Sequence, residues 1–462
     1  MKLLSPTLLT VALAAAFPAV AQSNEALLKE LQALKARVND LEKKLQAAPA
    51  EAPKPQWGMT PEQAAEFNRI ANKTEALEDS REMLGFKNLK VSGYMDPAFI
   101  YNKAQNRFGA QFLNKVGDDG YNYDNSYFGS AVIDFQKETD SGVKWRLTLS
   151  PNRGVGSVFD GDSIVQEASV SIPLTDLQTR LIAGQLPDWS GYEFLPATQN
   201  KLITHNLLFD FTLPTAYTGV GMDVTRGKWI TKFMLGNMNK TKKDAGTRQP
   251  MLAYRVDYSK GEFNGFGFAG VHGNAANFTE NVLDADDAVV PQGESRVDLF
   301  EIDGYFIRGD WTVQGQASFG RQKKAAISTN ADGGLQDSQW WGLSGLAAYK
   351  FTPRFEGIAR LDYLNNAKNG GGLLGFTSSD GRNGIGPGWS RDEDGNWVQA
   401  DSSKGANRMA LSMGLSYLFD ASTTLKLEYR LDRANQAVFE NVKDGSYSKT
   451  NHLLGASVVV AF

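Results

Sequence analysis

The 462-residue sequence predicts an all-β fold, a transmembrane antiparallel β-barrel of about 16 strands, preceded by a short periplasmic coiled-coil helix and a second helix. Three observations carry this. From residue 90 onward, apolar and polar residues alternate with a period of two. The joints between these segments are short and long in strict turn. The last segment alternates to the final residue, Phe462.

Composition narrows the function classes first. The chain carries 48 Lys+Arg against 52 Asp+Glu, a formal charge of −4. No broad basic surface is available, so nucleic acid is not an expected partner. Cysteine is absent, which excludes disulfides, thiolate metal sites and a cysteine nucleophile.

The elements follow in order. Residues 1–21 read as a signal peptide: Lys2, an apolar run from Leu8 to Ala16, then Ala19-Val20-Ala21 as the cleavage signal. Residues 22–46 form a coiled-coil oligomerisation helix. Leu27, Leu31, Leu34, Val38, Leu41 and Leu45 recur at alternating spacings of four and three. Such a seam buries only against a matching seam. Three heptads are marginal alone, so another contact must hold the chains together. Residues 47–56 are an Ala/Pro-rich linker, extended by composition. Residues 57–86 hold a second helix, periplasmic or plugging the barrel. Thr60, Pro61 and Gln63 make its start, a stripe from Ala64 through Phe67, Ile70, Leu77 and Leu84 makes one buried face, and Gly85 ends it.

Residues 87–462 are the barrel. Strands are expected near 90–102, 126–138, 142–152, 164–173, 177–186, 215–225, 228–239, 249–259, 262–272, 295–308, 310–321, 337–350, 354–365, 406–419, 422–434 and 449–462. In one, Leu425, Leu427, Tyr429 and Leu431 interleave with Lys426, Glu428, Arg430 and Asp432. A soluble sandwich would turn the apolar face inward; a membrane barrel turns it to lipid and lines a wet lumen with the other. Tight turns such as Thr139-Asp140-Ser141, Arg226-Gly227 and Asp420-Ala421 alternate with long loops, the largest near 366–405. That asymmetry favours the barrel. Trp145, Trp229, Trp311 and Phe355 open strands just after tight turns, and Phe135, Phe306, Tyr349 and Phe419 close strands just before them. They predict an interfacial aromatic belt.

One stretch carries a family resemblance. VQEASVSIPL, LIAGQLPDWSGYEFLPATQN and HNLLFDFTLPTAYTGVGMDV follow one another between Val165 and Val224. This order resembles the outer-membrane β-barrel porins of the OmpL-like type. The matching positions are Gly184, Tyr192, Glu193, Leu207, Leu208, Phe209, Pro214, Thr218, Gly219 and Val220. The coil resembles the stalks of trimeric porins, and the leader resembles that of an uncharacterised proteobacterial branch. The resemblance implies diffusion across an outer membrane and names no substrate; the expectation is a passive homotrimeric porin for small hydrophilic solutes, set in outer-membrane lipid.

Strand parity gives the pore-lining candidates: Lys144, Arg146, Arg180, Lys232, Arg255, Glu301, Asp303, Arg360, Asp362 and Arg430. Both signs are present, so no strong charge preference is expected, and pairing of these groups across strands is an equal expectation. By analogy with general porins, the loop from Pro187 to Pro214 is expected to fold inward. Its constriction candidates are Asp188, Tyr192, Glu193, Lys201, His205 and Asp210. No catalytic, cofactor or metal site is expected. His205, His272 and His452 are scattered, and Asp392, Asp394, Gly395 and Asn396 lack the spacing of a calcium loop. The rival expectation is a plugged structural or adhesive barrel, anchored through its coil to the cell wall or to a partner.

Overall fold

The computed structural model describes residues 60–83, 85–113, 120–121, 129–150, 164–214, 216–238, 251–259, 261, 263–276, 282–283, 289–290, 294–373 and 384–462, with 32–33, 35–40 and 43 of the leader. The chain divides into two compact units, Met1–Lys87 and Asn88–Phe462.

In the first unit, α1 spans Pro61–Met83. Thr60 and Gln63 form the expected capping box. The Gln63 N–H donates to Thr60 Oγ1 at 3.2 Å, and the Thr60 N–H donates to Gln63 Oε1 at 3.1 Å. Gly85, at φ +74°, follows the helix. The stripe behaves otherwise than expected: Phe67, Ile70 and Leu77 are all exposed. One large apolar residue per turn is too narrow a face to hold a helix down without a matching partner. Val38 is helical and exposed. Leu27, Leu31, Leu34, Leu41 and Leu45, the signal peptide and the linker lie outside the described residues.

In the second unit, 18 strand segments make one closed sheet. Two barrel strands are each built of two collinear segments, so the barrel has 16 strands. β1 is Leu89–Met95 continued by Ala98–Asn102, and β2 is Arg107–Gln111 resumed by Ala131–Glu138. Both segments of β2 pair with β1 (Ala98 opposite Gln111, Met95 opposite Ala131). β2 breaks off at Gln111 and resumes at Ala131, where Asp96 accepts the N–H groups of Gly129, at 3.2 Å, and Ser130.

The rest follow as an up-and-down meander. They are β3 (Lys144–Leu149), β4 (Val165–Asp176), β5 (Thr179–Pro187), β6 (Ala216–Arg226), β7 (Trp229–Met238), β8 (Met251–Ser259) and β9 (Asn264–Ala276). Then come β10 (Glu294–Arg308), β11 (Trp311–Gln322), β12 (Ser338–Thr352), β13 (Phe355–Asn365), β14 (Arg408–Leu418), β15 (Thr423–Ala434) and β16 (Thr450–Ala461). β16 pairs with both β15 and β1, closing the barrel. Phe462 seals the seam: its N–H and carbonyl exchange hydrogen bonds with Gly93, both at 3.0 Å. A side chain at Gly93 would meet the Phe462 ring at 2.6 Å.

The apolar face points outward. Leu343, Leu361, Met413, Leu427 and Leu454 are exposed, while Ser344, Asp362, Ser412, Glu428 and Arg430 on the other face are buried. The aromatic residues at the tight-turn end stand together. Trp311 pairs directly with Tyr349, ring centroids 4.8 Å apart, and Trp229 lies 4.8 Å from Tyr258. The Asp392 to Asn396 segment is a hairpin turn, in which Asp392 accepts the Asn396 N–H at 2.8 Å.

Candidate functional site: the inserted loop and its cavity

The segment after β5 folds into the lumen. Its short helix α2 spans Leu207–Phe211, capped by Asn206, whose Oδ1 accepts the Phe209 N–H at 2.8 Å. Four charged side chains on the inner faces of β13 and β15 fasten the loop. Arg360 donates to Glu193 at 2.8 Å, to the Thr204 carbonyl at 2.7 Å and to the His205 carbonyl at 2.8 Å. Arg430 donates to the same His205 carbonyl at 2.6 Å. Glu428 accepts the N–H groups of Ile203, at 2.7 Å, and Thr204, at 2.8 Å. Lys426 donates to the Ala197 carbonyl at 2.7 Å. Nearer the tight turns, Lys201 meets Glu356 at 2.7 Å. Tyr192 shares a 2.6 Å hydrogen bond with Ser344, which donates to Asp362 at 2.7 Å.

Inward glycines give the loop its seat. A Cβ at Gly414 would lie 2.3 Å from the Leu202 side chain, and one at Gly342 would lie 2.9 Å from Leu208. Around α2, Leu207, Leu208 and Phe211 pack with Met234, Met251, Val297, Leu299, Trp340 and Leu364 from the facing strands. This side of the lumen is therefore an apolar core. A second cluster, with Ile100, Tyr121, Ile203, Val438, Phe439 and Leu453, lies toward β1 and β16. Arg408 bridges the inserted segments. Its guanidinium is 4.8 Å from the Phe211 ring, 5.2 Å from those of Tyr121 and Phe439, and 3.1 Å from Asp432.

Water-accessible space remains on the opposite side of the loop, in a cavity of about 740 Å³. Its wall carries Arg146, Glu167, Lys232, Arg255 and Asp257, and its loop side carries Asp188, Trp189, Phe194, Leu195 and Pro196. The wall charges are paired. Arg146 lies 2.8 Å from Asp134 and 3.2 Å from Glu167; Lys232 lies 3.7 Å from Asp223; Arg255 lies 2.7 Å from both Asp257 and Asp303.

All ten pore-lining candidates lie on the inner face, but in three different settings. Arg146, Lys232 and Arg255 border the cavity, with Asp303 and the fully buried Glu301 beneath Arg255. Arg360, Asp362 and Arg430 are covered by the loop and hold it, instead of facing water. Arg180 staples the turn end, donating to the carbonyls of Gly142 at 2.6 Å and Ser171 at 2.9 Å; Lys144 sits there, 3.5 Å from Glu138. Of the loop candidates, Tyr192, Glu193, Lys201 and His205 face the β12–β15 wall, Asp210 is buried on α2, and Asp188 borders the cavity. Thr204, Arg408, Tyr121 and Phe194 were not singled out from the sequence. The inward glycines on strands of otherwise large residues were the available signal that something packs there.

The loop environment shifts its titrating groups. Burial pushes the Asp188 carboxyl up to about 6, against the opposing hydrogen bonds from Tyr217 and Ser190. Burial pushes Glu193 up, with Arg360 opposing it. Burial also pushes His205 down to about 3, so its ring is neutral, and Nε2 stands 2.9 Å from the Phe194 carbonyl.

A closed sixteen-strand barrel with a loop folded into its lumen is the fold of bacterial porins. The anion-selective porin from Comamonas acidovorans is similar at TM-score 0.51 and 11% identity, over 81% of this chain and 99% of that one. Outer-membrane expressed OmpT of Vibrio cholerae is similar at TM-score 0.50 and 8% identity, over 81% and 97%. A trimer form of in-vitro folded OmpT from Vibrio cholerae is similar at 0.50 and 10%, over 81% and 99%. The chain belongs to the family described as "Protein of unknown function (DUF3138)", which matches residues 45–462. Comparison with curated proteins gave no match.

Proposed function

We propose that this protein is an outer-membrane porin of a Gram-negative bacterium, passing small hydrophilic solutes down their gradients. The observation that carries the reading is the pairing of an apolar outer wall with a charge-lined cavity of about 740 Å³ beside an inserted loop. An exposed apolar band around a closed sheet is stable only in hydrocarbon. The loop narrows the lumen, so passage is limited by size. The wall charges are satisfied in pairs, so selectivity between small ions is weak. No chemistry is assigned; the protein is a channel and not an enzyme.

The signal peptide delivers the chain across the inner membrane, and the leader coil joins three copies. A trimer form in the Vibrio cholerae protein and the heptad seam from Leu27 to Leu45 support that assembly. The stretch from Val165 to Val224 supports placing the inserted loop with that of the OmpL-like type.

One observation favours the second reading, a plugged anchoring barrel: the apolar core that α2 forms with Met234, Met251, Val297, Leu299 and Trp340 fills part of the lumen. Proteoliposome swelling separates the two. The porin reading expects swelling in pentoses and hexoses that declines steeply with larger oligosaccharides. A plugged barrel gives no swelling in any sugar.

A further inference from the structure

Phe194 departs from the loop that carries it. Tyr192, Glu193 and Leu195 beside it are buried, yet Phe194 is 44% exposed and borders the cavity. Slack does not explain this. The Phe194 N–H donates to Asn200 Oδ1 at 2.9 Å, and its carbonyl accepts from Asn200 Nδ2 and from the neutral His205 at 2.9 Å. Its neighbour Glu193 is held by Arg360 and by the Asn206 N–H at 2.6 Å. The backbone therefore fixes a large, half-exposed ring at the edge of the cavity, forgoing part of the stabilisation that full burial would return. A solute that covers the ring recovers part of that. Trp189 and Pro196 extend the apolar side of the same cavity.

The wall of the cavity has the opposite character. Arg146, 39% exposed at its side chain, lies between Asp134 and Glu167. A guanidinium and two carboxylates therefore stand side by side. A single anion or cation gains little there, because each charge already has a partner. A solute that carries both signs on adjacent atoms can lie along the row and meet each group with its opposite.

We infer that the cavity is a binding site for zwitterionic amino acids with apolar side chains, aromatic or branched. The side chain lies against Phe194, the α-carboxylate against the exposed guanidinium of Arg146, and the α-ammonium against the narrow exposed edges of Asp134 and Glu167, whose side chains are 10% and 8% exposed. This rests on the diffusion reading above and gives it a preferred solute class.

The test is uptake of labelled L-phenylalanine and D-glucose into vesicles containing the full-length protein. The expected result is phenylalanine entering roughly fivefold faster than glucose, as about 1 kcal/mol of ring contact would give, and saturating with concentration. Phe194→Ser removes most of that ratio, Phe194→Leu keeps most of it, and Arg146→Gln lowers it. A wild-type ratio near one, or an unchanged ratio in Phe194→Ser, overturns the inference while leaving the diffusion reading intact. Vesicles closed to both solutes overturn the two together.

Discussion

Arg360 on β13 and Glu193 in the inserted loop meet at 2.8 Å, with side chains 0% and 4% exposed. Neither has water to fall back on, so each depends on the other and on the backbone carbonyls around them. This relationship converts a strand charge from lumen lining into a fixing point for the loop. Removing one partner of a buried pair costs about 3–5 kcal/mol, because the other charge is stranded. Arg360→Met should release the loop. The expected outcome is a lower temperature of barrel unfolding on heat-modifiability gels, with noisier and larger single-channel openings. Glu193→Gln keeps a hydrogen-bonding group and should show a smaller effect on both.

Asp188 supplies a pH dependence. Its carboxyl is pushed up to about 6 by burial, above the ordinary value of about 4 of the unfolded chain. The folded protein therefore holds a proton that the unfolded chain releases. Its contribution to loop packing is fully present below about pH 4 and is lost as pH rises through about 6. Over the same rise the cavity gains a negative charge. The reversal potential in a KCl gradient should shift toward cation preference between pH 5 and pH 8, and Asp188→Asn should flatten that shift.

Arg408 latches the inserted segments. Three rings from separate stretches of chain, those of Tyr121, Phe211 and Phe439, surround its guanidinium. Each desolvated cation–π contact is worth about 2 kcal/mol. Arg408→Ala removes all three at once and should raise protease cleavage within the outer loops of the intact protein. Arg391, over the Trp397 ring in an exposed hairpin, should have no such effect when changed to Ala.

The closing seam depends on a missing side chain. At Gly93 a Cβ would lie 2.3 Å from the Val132 carbonyl oxygen and 2.6 Å from the Phe462 ring. Gly93→Val should lower the barrel melting temperature and slow assembly in refolding experiments, as should Phe462→Ala to a smaller extent.

The strands were legible because lipid and lumen impose a strict period of two. β12 and β13, expected near 337–350 and 354–365, span Ser338–Thr352 and Phe355–Asn365. Parity also puts Arg360 and Arg430 on the inner face, where both are buried. Parity cannot say what covers an inner face, so their burial beneath the loop was not legible. Nor was the apolar core around α2. Val297 and Leu299 point inward beside the outward Phe300, and such runs break the alternation that identifies a wet lumen. Phe67, Ile70 and Leu77 erred in the other direction: a helical stripe signals a partner without saying whether the same chain supplies it.

Single-channel recording in planar bilayers tests the central claim most directly. Purified full-length protein should insert in discrete steps, each with a current linear in voltage and weakly selective between potassium and chloride. Bilayers that stay silent at every voltage, although folded barrels have demonstrably inserted, would contradict a water-filled path past the inserted loop.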